Sequence, residues 1–169
     1  METVLILDFG AQYSQLIARR VREQNVYCEV KPCSISPAEI EKIAPIGIIL
    51  SGGPQSVYES VSLRVDPALF ALGIPVLGIC YGCQLMAYSL GGTVAAATEA
   101  TAREYGKTLT EFDTHSAIFQ DLPASSVTWM SHGDYISRVP DGFTVTAKTA
   151  VCPTAAMACP EKRLYGVQF

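Results

Sequence analysis

Hydrophobic and polar positions divide this chain into two halves of different character. In the first, short continuous apolar runs alternate with segments of helical spacing. Thr3-Val4-Leu5-Ile6-Leu7 is β-branched and apolar throughout, the pattern of a strand covered on both faces, and Asp8-Phe9-Gly10 ends it. From Tyr13 to Glu23, Leu16, Ile17 and Val21 recur at helical spacing among arginines and glutamines, which predicts a surface helix. Val26 to Val30 alternates as a second strand, and Ser36-Pro37-Ala38-Glu39 reads as a capping box opening a short helix through Ile43. Ile46 to Leu50 predicts a third strand running into Ser51-Gly52-Gly53-Pro54, and Asp66 to Leu72 a short helix closed by Gly73. Ile74 to Leu77 predicts a fourth strand, followed by a helix-like stretch, Cys83 to Leu90, that Gly91-Gly92 terminates as a left-handed cap. This alternation is that of a doubly wound α/β fold with a mostly parallel sheet.

After Gly92 the long helices cease. Thr93–Ala97, Gly106–Phe112, Val127–Met130, Phe143–Ala147, Ala155–Ala158 and Leu164–Phe169 are short strand-like runs, which predict antiparallel strands extending the sheet. With no repeat, low-complexity tract or linker, residues 1–169 read as one domain.

Composition narrows the class of function. A hydrophobic content of 49% supports a compact core, and twelve basic against sixteen acidic residues, a net charge of −4, argue against nucleic acid or a membrane surface as partner. Arg19, Arg20 and Arg22 form the one basic cluster and read as a solvated helix face. No apolar run is long enough to span a bilayer, and Met1-Glu2-Thr3 lacks the basic start of a signal peptide, so a cytoplasmic location is expected. In that setting the six cysteines read as reduced thiols. No second close pair completes a zinc-type pattern, and no metal is expected.

The candidate chemistry lies at Gly78-Ile79-Cys80-Tyr81-Gly82, between a buried strand and a helix. Flanking glycines permit a sharp turn that exposes a nucleophile, and the first turn of a helix favours the thiolate. Cys80-Tyr81-Gly82-Cys83 is also a C-x-x-C at a strand-to-helix turn, where a redox dithiol would stand, and spacing alone does not separate the two readings. The Ser51-Gly52-Gly53-Pro54 loop ends a neighbouring strand, so Gly53 is a candidate oxyanion donor beside Cys80. Trp129-Met130-Ser131-His132-Gly133-Asp134 brings several hydrogen-bonding groups to a glycine and suits recognition of an amino-acid-like ligand, although a structural turn fits the pattern nearly as well. His115 sits in a polar turn and reads as surface.

Taken together, G-I-C-Y-G-C-Q (Gly78–Gln84), S-G-G-P (Ser51–Pro54) and G-V-Q-F (Gly166–Phe169) resemble the triad-type, class I glutamine amidotransferases, which have a flavodoxin-like core. L-D-F-G-A-Q-Y-S-Q-L-I-A-R-R-V-R-E (Leu7–Glu23) and W-M-S-H-G-D (Trp129–Asp134) narrow the likeness to the amidotransferase domains of the GMP synthase branch. The resemblance implies that Cys80 attacks the side-chain amide of glutamine, giving ammonia and a γ-glutamyl thioester. It implies that Gly53 and Tyr81 N–H groups form the oxyanion hole, and that Gln84, Ser131, His132 and Gly133 hold the amino-acid end. It further implies an ATP-pyrophosphatase (synthetase) partner domain, in cis or on a separate polypeptide, that uses ATP and magnesium to convert XMP to GMP. No cofactor is expected in this domain, and a homodimer could form through the synthetase domain.

Two departures from the family pattern stand out. Cys83 occupies a position usually held by methionine or another apolar residue, which makes the C-x-x-C look incidental. In the family, G-V-Q-F is followed by His-Pro-Glu, the base and its orienting carboxylate, whereas this sequence ends at Phe169. The expectation is a truncated domain with an intact pocket and impaired turnover, the alternatives being the redox module and a non-catalytic glutamine-binding domain.

Overall fold

The computed structural model describes residues 2–10, 12–97 and 103–169; Met1, and Ala11 of the Leu7–Glu23 motif, lie outside them. In the first half, strands β1 (Thr3–Asp8), β2 (Tyr27–Pro32), β3 (Gly47–Leu50) and β4 (Val76–Ile79) pair in parallel, connected in part by helices α1 (Ser14–Glu23) and α2 (Pro37–Ile43). Helix α3 (Tyr81–Ser89) follows β4 without a linker. Strands β5 (Thr93–Ala96), β6 (Glu104–Phe112), β7 (Ser125–His132), β8 (Asp134–Arg138), β9 (Thr144–Lys148), β10 (Ala156–Cys159) and β11 (Leu164–Val167) make up the second half. Nine strands form one sheet in the order β2-β1-β3-β4-β11-β10-β9-β6-β7, while β5 and β8 form a separate antiparallel pair.

Local chemistry accounts for the element ends. Ser36 and Glu39 form the expected capping box on α2, and Asp66 caps a single 3₁₀ turn, Pro67–Ala71, in place of the short helix that the pattern predicts. Gly91 takes φ +92° after α3, the conformation anticipated for its cap. α1 turns its arginines to solvent, where Arg19 and Arg20 share Glu23. Its other side packs on β1 and β2 through Ala18, Ile6 and Cys28. The main core fills the opposite face of the parallel strands with Leu5, Leu7, Ile48, Leu50, Leu85 and Met86, all essentially solvent-free.

Three features of the second half differ from the sequence-based expectation. Thr93–Ala96 does not extend the main sheet but pairs with β8 as a separate two-stranded unit. Leu164–Val167 pairs parallel to β4, so β11 belongs to the parallel region and only β10, β9, β6 and β7 form the antiparallel extension. β8 has no counterpart among the predicted strands: Gly133 alone separates it from β7, and its run Asp134-Tyr135-Ile136-Ser137-Arg138 buries only Ile136, too little apolar signal to mark a strand. Among the described residues no helix is long and apolar enough to cross a membrane.

Candidate active site

β4 runs directly into α3 through Cys80, which adopts φ 51° and ψ −109°. A non-glycine residue is rarely found there, and holding it costs on the order of 1–3 kcal/mol. The surrounding contacts impose it. The Cys80 N–H donates to Val167 O at 2.8 Å, and Gly82 N–H donates to Ser51 O at 3.1 Å. At Gly78 a Cβ would lie 2.6 Å from Gly82 O, and at Gly82 it would drive into the carbonyl of Leu50 on β3. Both glycines of the motif are therefore required by close backbone approach.

The turn lifts Cys80 to the floor of a cleft of about 320 Å³. Gly53 to Ser56 line one side and Ser131 to Asp134 the other, with Tyr81, Gln84 and Tyr105 completing it. Every residue singled out from the sequence as a site candidate, namely Cys80, Gly53, Tyr81, Gln84, Ser131, His132 and Gly133, is on this lining. Two clefts of about 410 and 340 Å³ lie elsewhere, but neither is lined by a cysteine or histidine.

Gly53 sits tightly: a Cβ there would stand 3.1 Å from Phe9 O and 3.3 Å from Tyr81 Cγ. Buried Ser51 fixes the loop by accepting from Phe9 N–H at 3.2 Å and donating to Gly52 O at 3.0 Å. Tyr81 packs on Phe9 with ring centroids 5.4 Å apart and donates its hydroxyl to Leu63 O.

The Cys80 sulfur receives a hydrogen bond from Gln168 Nε2 at 3.5 Å and lies 3.8 Å from Ser131 O. Burial pushes its pKa up, outweighing the Tyr81 N–H and Gln168 bonds that pull it down. The helix terminus alone would favour the thiolate; desolvation reverses the net direction. Cys83 is solvent-free, and burial pushes its thiol far above the ordinary range. It faces Gly166 of β11, where a Cβ would stand 2.5 Å from its sulfur. Such a wedged thiol is a packing residue, which explains the second cysteine of the C-x-x-C without redox chemistry.

His132 lines the cleft while its side chain is 1% exposed. Its Nδ1 meets Asp134 O at 2.9 Å and its Nε2 meets Glu104 Oε2 at 3.1 Å, so the imidazole is spent inside the protein. His115, by contrast, has a 97% exposed side chain beside Asp113. Sequence reasoning overlooked Gln168, Asp134 and Glu104 as site residues. Gln168 was visible as part of G-V-Q-F and Asp134 as the end of W-M-S-H-G-D. Glu104 carried no local signal, because only the β6–β7 register sets it opposite His132. Cys152 completes a buried trio with Glu104 and His132, their ligand-type atoms within 4.8 Å of one another. Internal hydrogen bonds occupy all three, Cys152 donating to Thr154 O and Glu104 accepting from Thr149 Oγ1.

Comparison with known proteins agrees with this geometry. The family model for glutamine amidotransferase class-I matches residues 5–169. The chain belongs to the class I glutamine amidotransferase family. Among curated relatives, the GMP synthase [glutamine-hydrolyzing] of Clostridium botulinum (strain Alaska E43 / Type E3) is 54% identical over 168 residues, 99% of this chain and 32% of that protein. The enzyme of the same name from Bacillus pumilus is 55% identical over the same shares. This chain thus spans about a third of the length of the curated relatives it matches. A crystal structure from Thermoplasma acidophilum, provisionally described as one subunit of a GMP synthase, superposes with a TM-score of 0.84 at 29% identity, covering 100% of this chain and 83% of that one. A glutamine amidotransferase from Thermotoga maritima shares the fold, with a TM-score of 0.79 at 22% identity, over 99% of this chain and 75% of that one.

Proposed function

We propose that the cleft is a glutaminase site that supplies ammonia for GMP synthesis, with Cys80 as nucleophile. The observation that carries the reading is Cys80 itself, a strained residue held between two obligatory glycines at the floor of a polar cleft. Its sulfur attacks the side-chain carbonyl carbon of glutamine, and the oxygen takes up negative charge. Gly53 N–H and Tyr81 N–H stabilise that oxyanion. The carbon–nitrogen bond then breaks, ammonia leaves with an added proton, and a γ-glutamyl thioester remains on Cys80. Water cleaves the thioester to glutamate and returns the thiol.

Gln84 and the Ser131–His132–Gly133 segment hold the amino-acid end of the substrate, His132 through its backbone because its ring is engaged elsewhere. Since burial keeps Cys80 protonated, a base must draw off its proton. The family resemblance puts that base just after G-V-Q-F. β11 pairs level with β4, Val167 opposite Ile79, and Gln168 reaches the Cys80 sulfur, so the residues that follow β11 lie beside the thiol. The ammonia is used by an ATP-pyrophosphatase domain of the kind implied by the relatives' name and threefold greater length, and ATP and magnesium act there.

Labelling with 6-diazo-5-oxo-norleucine, a glutamine-shaped alkylator, tests the site independently of turnover. One adduct on Cys80, suppressed by free glutamine and absent from Cys80→Ala, is the expected result. Equal labelling of several cysteines, or labelling indifferent to glutamine, would overturn the proposal.

A further inference from the structure

Glu104 does not line the cleft, and nothing in the proposed chemistry uses it. It is nevertheless 6% exposed, a carboxylate set inside the protein directly opposite His132 on the neighbouring strand. Its two oxygens are both occupied. Oε1 accepts from Thr149 Oγ1 at 2.5 Å, and Thr149 Oγ1 in turn accepts from Cys152 N–H at 2.9 Å. Oε2 faces His132 Nε2 at 3.1 Å.

The other ring nitrogen of His132 faces the carbonyl of Asp134 at 2.9 Å. A carbonyl can only accept, so Nδ1 must carry a hydrogen. A neutral imidazole would then point its Nε2 lone pair at a carboxylate oxygen, placing two acceptors in contact. A proton between Nε2 and Oε2 resolves the conflict, whichever atom holds it. The pair is thus joined by a proton-sharing hydrogen bond shielded from water.

From this bond a chain of contacts leads to the reacting sulfur. The Asp134 carbonyl that accepts from His132 also accepts from Gln84 Nε2 at 3.1 Å. Gln84 Nε2 also donates to Gln168 Oε1 at 3.0 Å, and Gln168 Nε2 donates to Cys80 Sγ at 3.5 Å. The carboxylate of Asp134 reaches the opposite wall, accepting from Ser56 Oγ at 2.5 Å and Tyr58 OH at 2.9 Å. Asp134 therefore joins both walls of the cleft and is itself held by His132 and Gln84.

Resting on the glutaminase reading, we infer that Glu104 is a positioning residue for the amide site: its proton-sharing bond to His132 fixes the 131–134 turn and, through Asp134, Gln84 and Gln168, sets the substrate wall relative to the Cys80 sulfur. It touches neither substrate nor sulfur. Its effect is on the fit of a glutamine-shaped ligand, with little on the intrinsic reactivity of the thiol.

The test uses the chain with Glu104→Ala and Glu104→Gln, comparing Cys80 labelling by the glutamine-shaped diazo-ketone and by iodoacetamide, which needs no recognition. Glu104→Ala should slow the diazo-ketone about tenfold or more and iodoacetamide less than about threefold. Glu104→Gln keeps an acceptor for Thr149 and offers an N–H to His132 Nε2, so it should restore diazo-ketone labelling to within about threefold of the unaltered chain. Unchanged diazo-ketone labelling in Glu104→Ala, or equal slowing of both reagents in a folded Glu104→Gln, would overturn the inference. Should Glu104→Ala fail to fold, proton NMR of the unaltered chain decides. A far-downfield, exchange-protected proton shared between His132 Nε2 and Glu104 is expected, and its absence would overturn the shared bond. Failure of the glutaminase reading looks different, since the unaltered chain would then show no glutamine-protected labelling while the NMR signal persisted.

Discussion

The elbow beneath the cleft and the turn that walls one side of it are built on opposite physical principles. On the elbow side, Gly78, Gly82 and Gly166 allow backbone and side chains to approach so closely that one added carbon collides. On the turn side the same rigidity comes from buried polar groups, Glu104, His132 and Asp134, whose hydrogen bonds exclude other arrangements. Close packing is insensitive to pH and salt and unforgiving of volume. A polar network tolerates modest changes of shape but depends on every partner being present and correctly protonated.

The sharpest way to break the elbow is Gly82→Ala. The new methyl meets the Leu50 carbonyl, a backbone atom in the centre of the sheet that has no rotamer to yield. A loss of roughly 3–5 kcal/mol in urea unfolding is expected, together with loss of Cys80 labelling. A well-folded Gly82→Ala with unchanged labelling would show that the elbow is looser than its contacts indicate.

Alkaline pH probes the buried thiols on both sides. Cys152, beneath the turn, has its pKa pushed up to about 11 by burial and then by the nearby Glu104 charge, and burial raises Cys83 and Cys80 as well. Folding thus favours the protonated thiols over the thiolates. The stabilisation is complete below the unfolded-state pKa and is lost as pH rises towards the folded-state value, for Cys152 between 9 and about 11. Across that interval Cys152 alone should account for about 3 kcal/mol of lost stability. Cys152→Ser should flatten the decline measured by urea unfolding at successive pH values, and an equally steep decline in that variant would refute the assignment.

The elbow was legible in the sequence because its constraints are local. G-I-C-Y-G, S-G-G-P and the buried runs before them each carry their own signal, and the capping box at Ser36–Glu39 and the glycine after α3 are likewise written in adjacent residues. The polar wall was only half legible. W-M-S-H-G-D announced a special turn and placed His132 in it, but which groups the turn directs inward depends on strand register, so the pointing of the His132 ring to Glu104 could not be read. Register also hid the parallel placement of β11, since an apolar run such as Leu164–Val167 reads the same in either direction. The direction of the Cys80 shift escaped for a related reason: a helix terminus is visible in sequence, whereas the extent of burial around it is not.

The smallest expected effect concerns the contact that excuses Cys83 from redox duty. A Cβ on Gly166 would stand 2.5 Å from the Cys83 sulfur but 3.3 Å from its Cβ and 3.5 Å from Met157 Cε. The sulfur is thus the one severe obstacle among these neighbours. Gly166→Ala should destabilise the chain, and Cys83→Ala should cost about 1 kcal/mol through the small cavity it leaves. In combination the new methyl enters the space vacated by sulfur, so the double variant should be more stable than the sum of the two losses by about 1–2 kcal/mol. The Cys83 Cβ, 3.3 Å away and still tight, is retained in Cys83→Ala, so the coupling reports the contact with sulfur. Strict additivity would mean that backbone strain in β11, and not the thiol, makes glycine necessary there. Cys83 would then be free of its packing role, and the proximity of two thiols at the elbow would again need a chemical explanation.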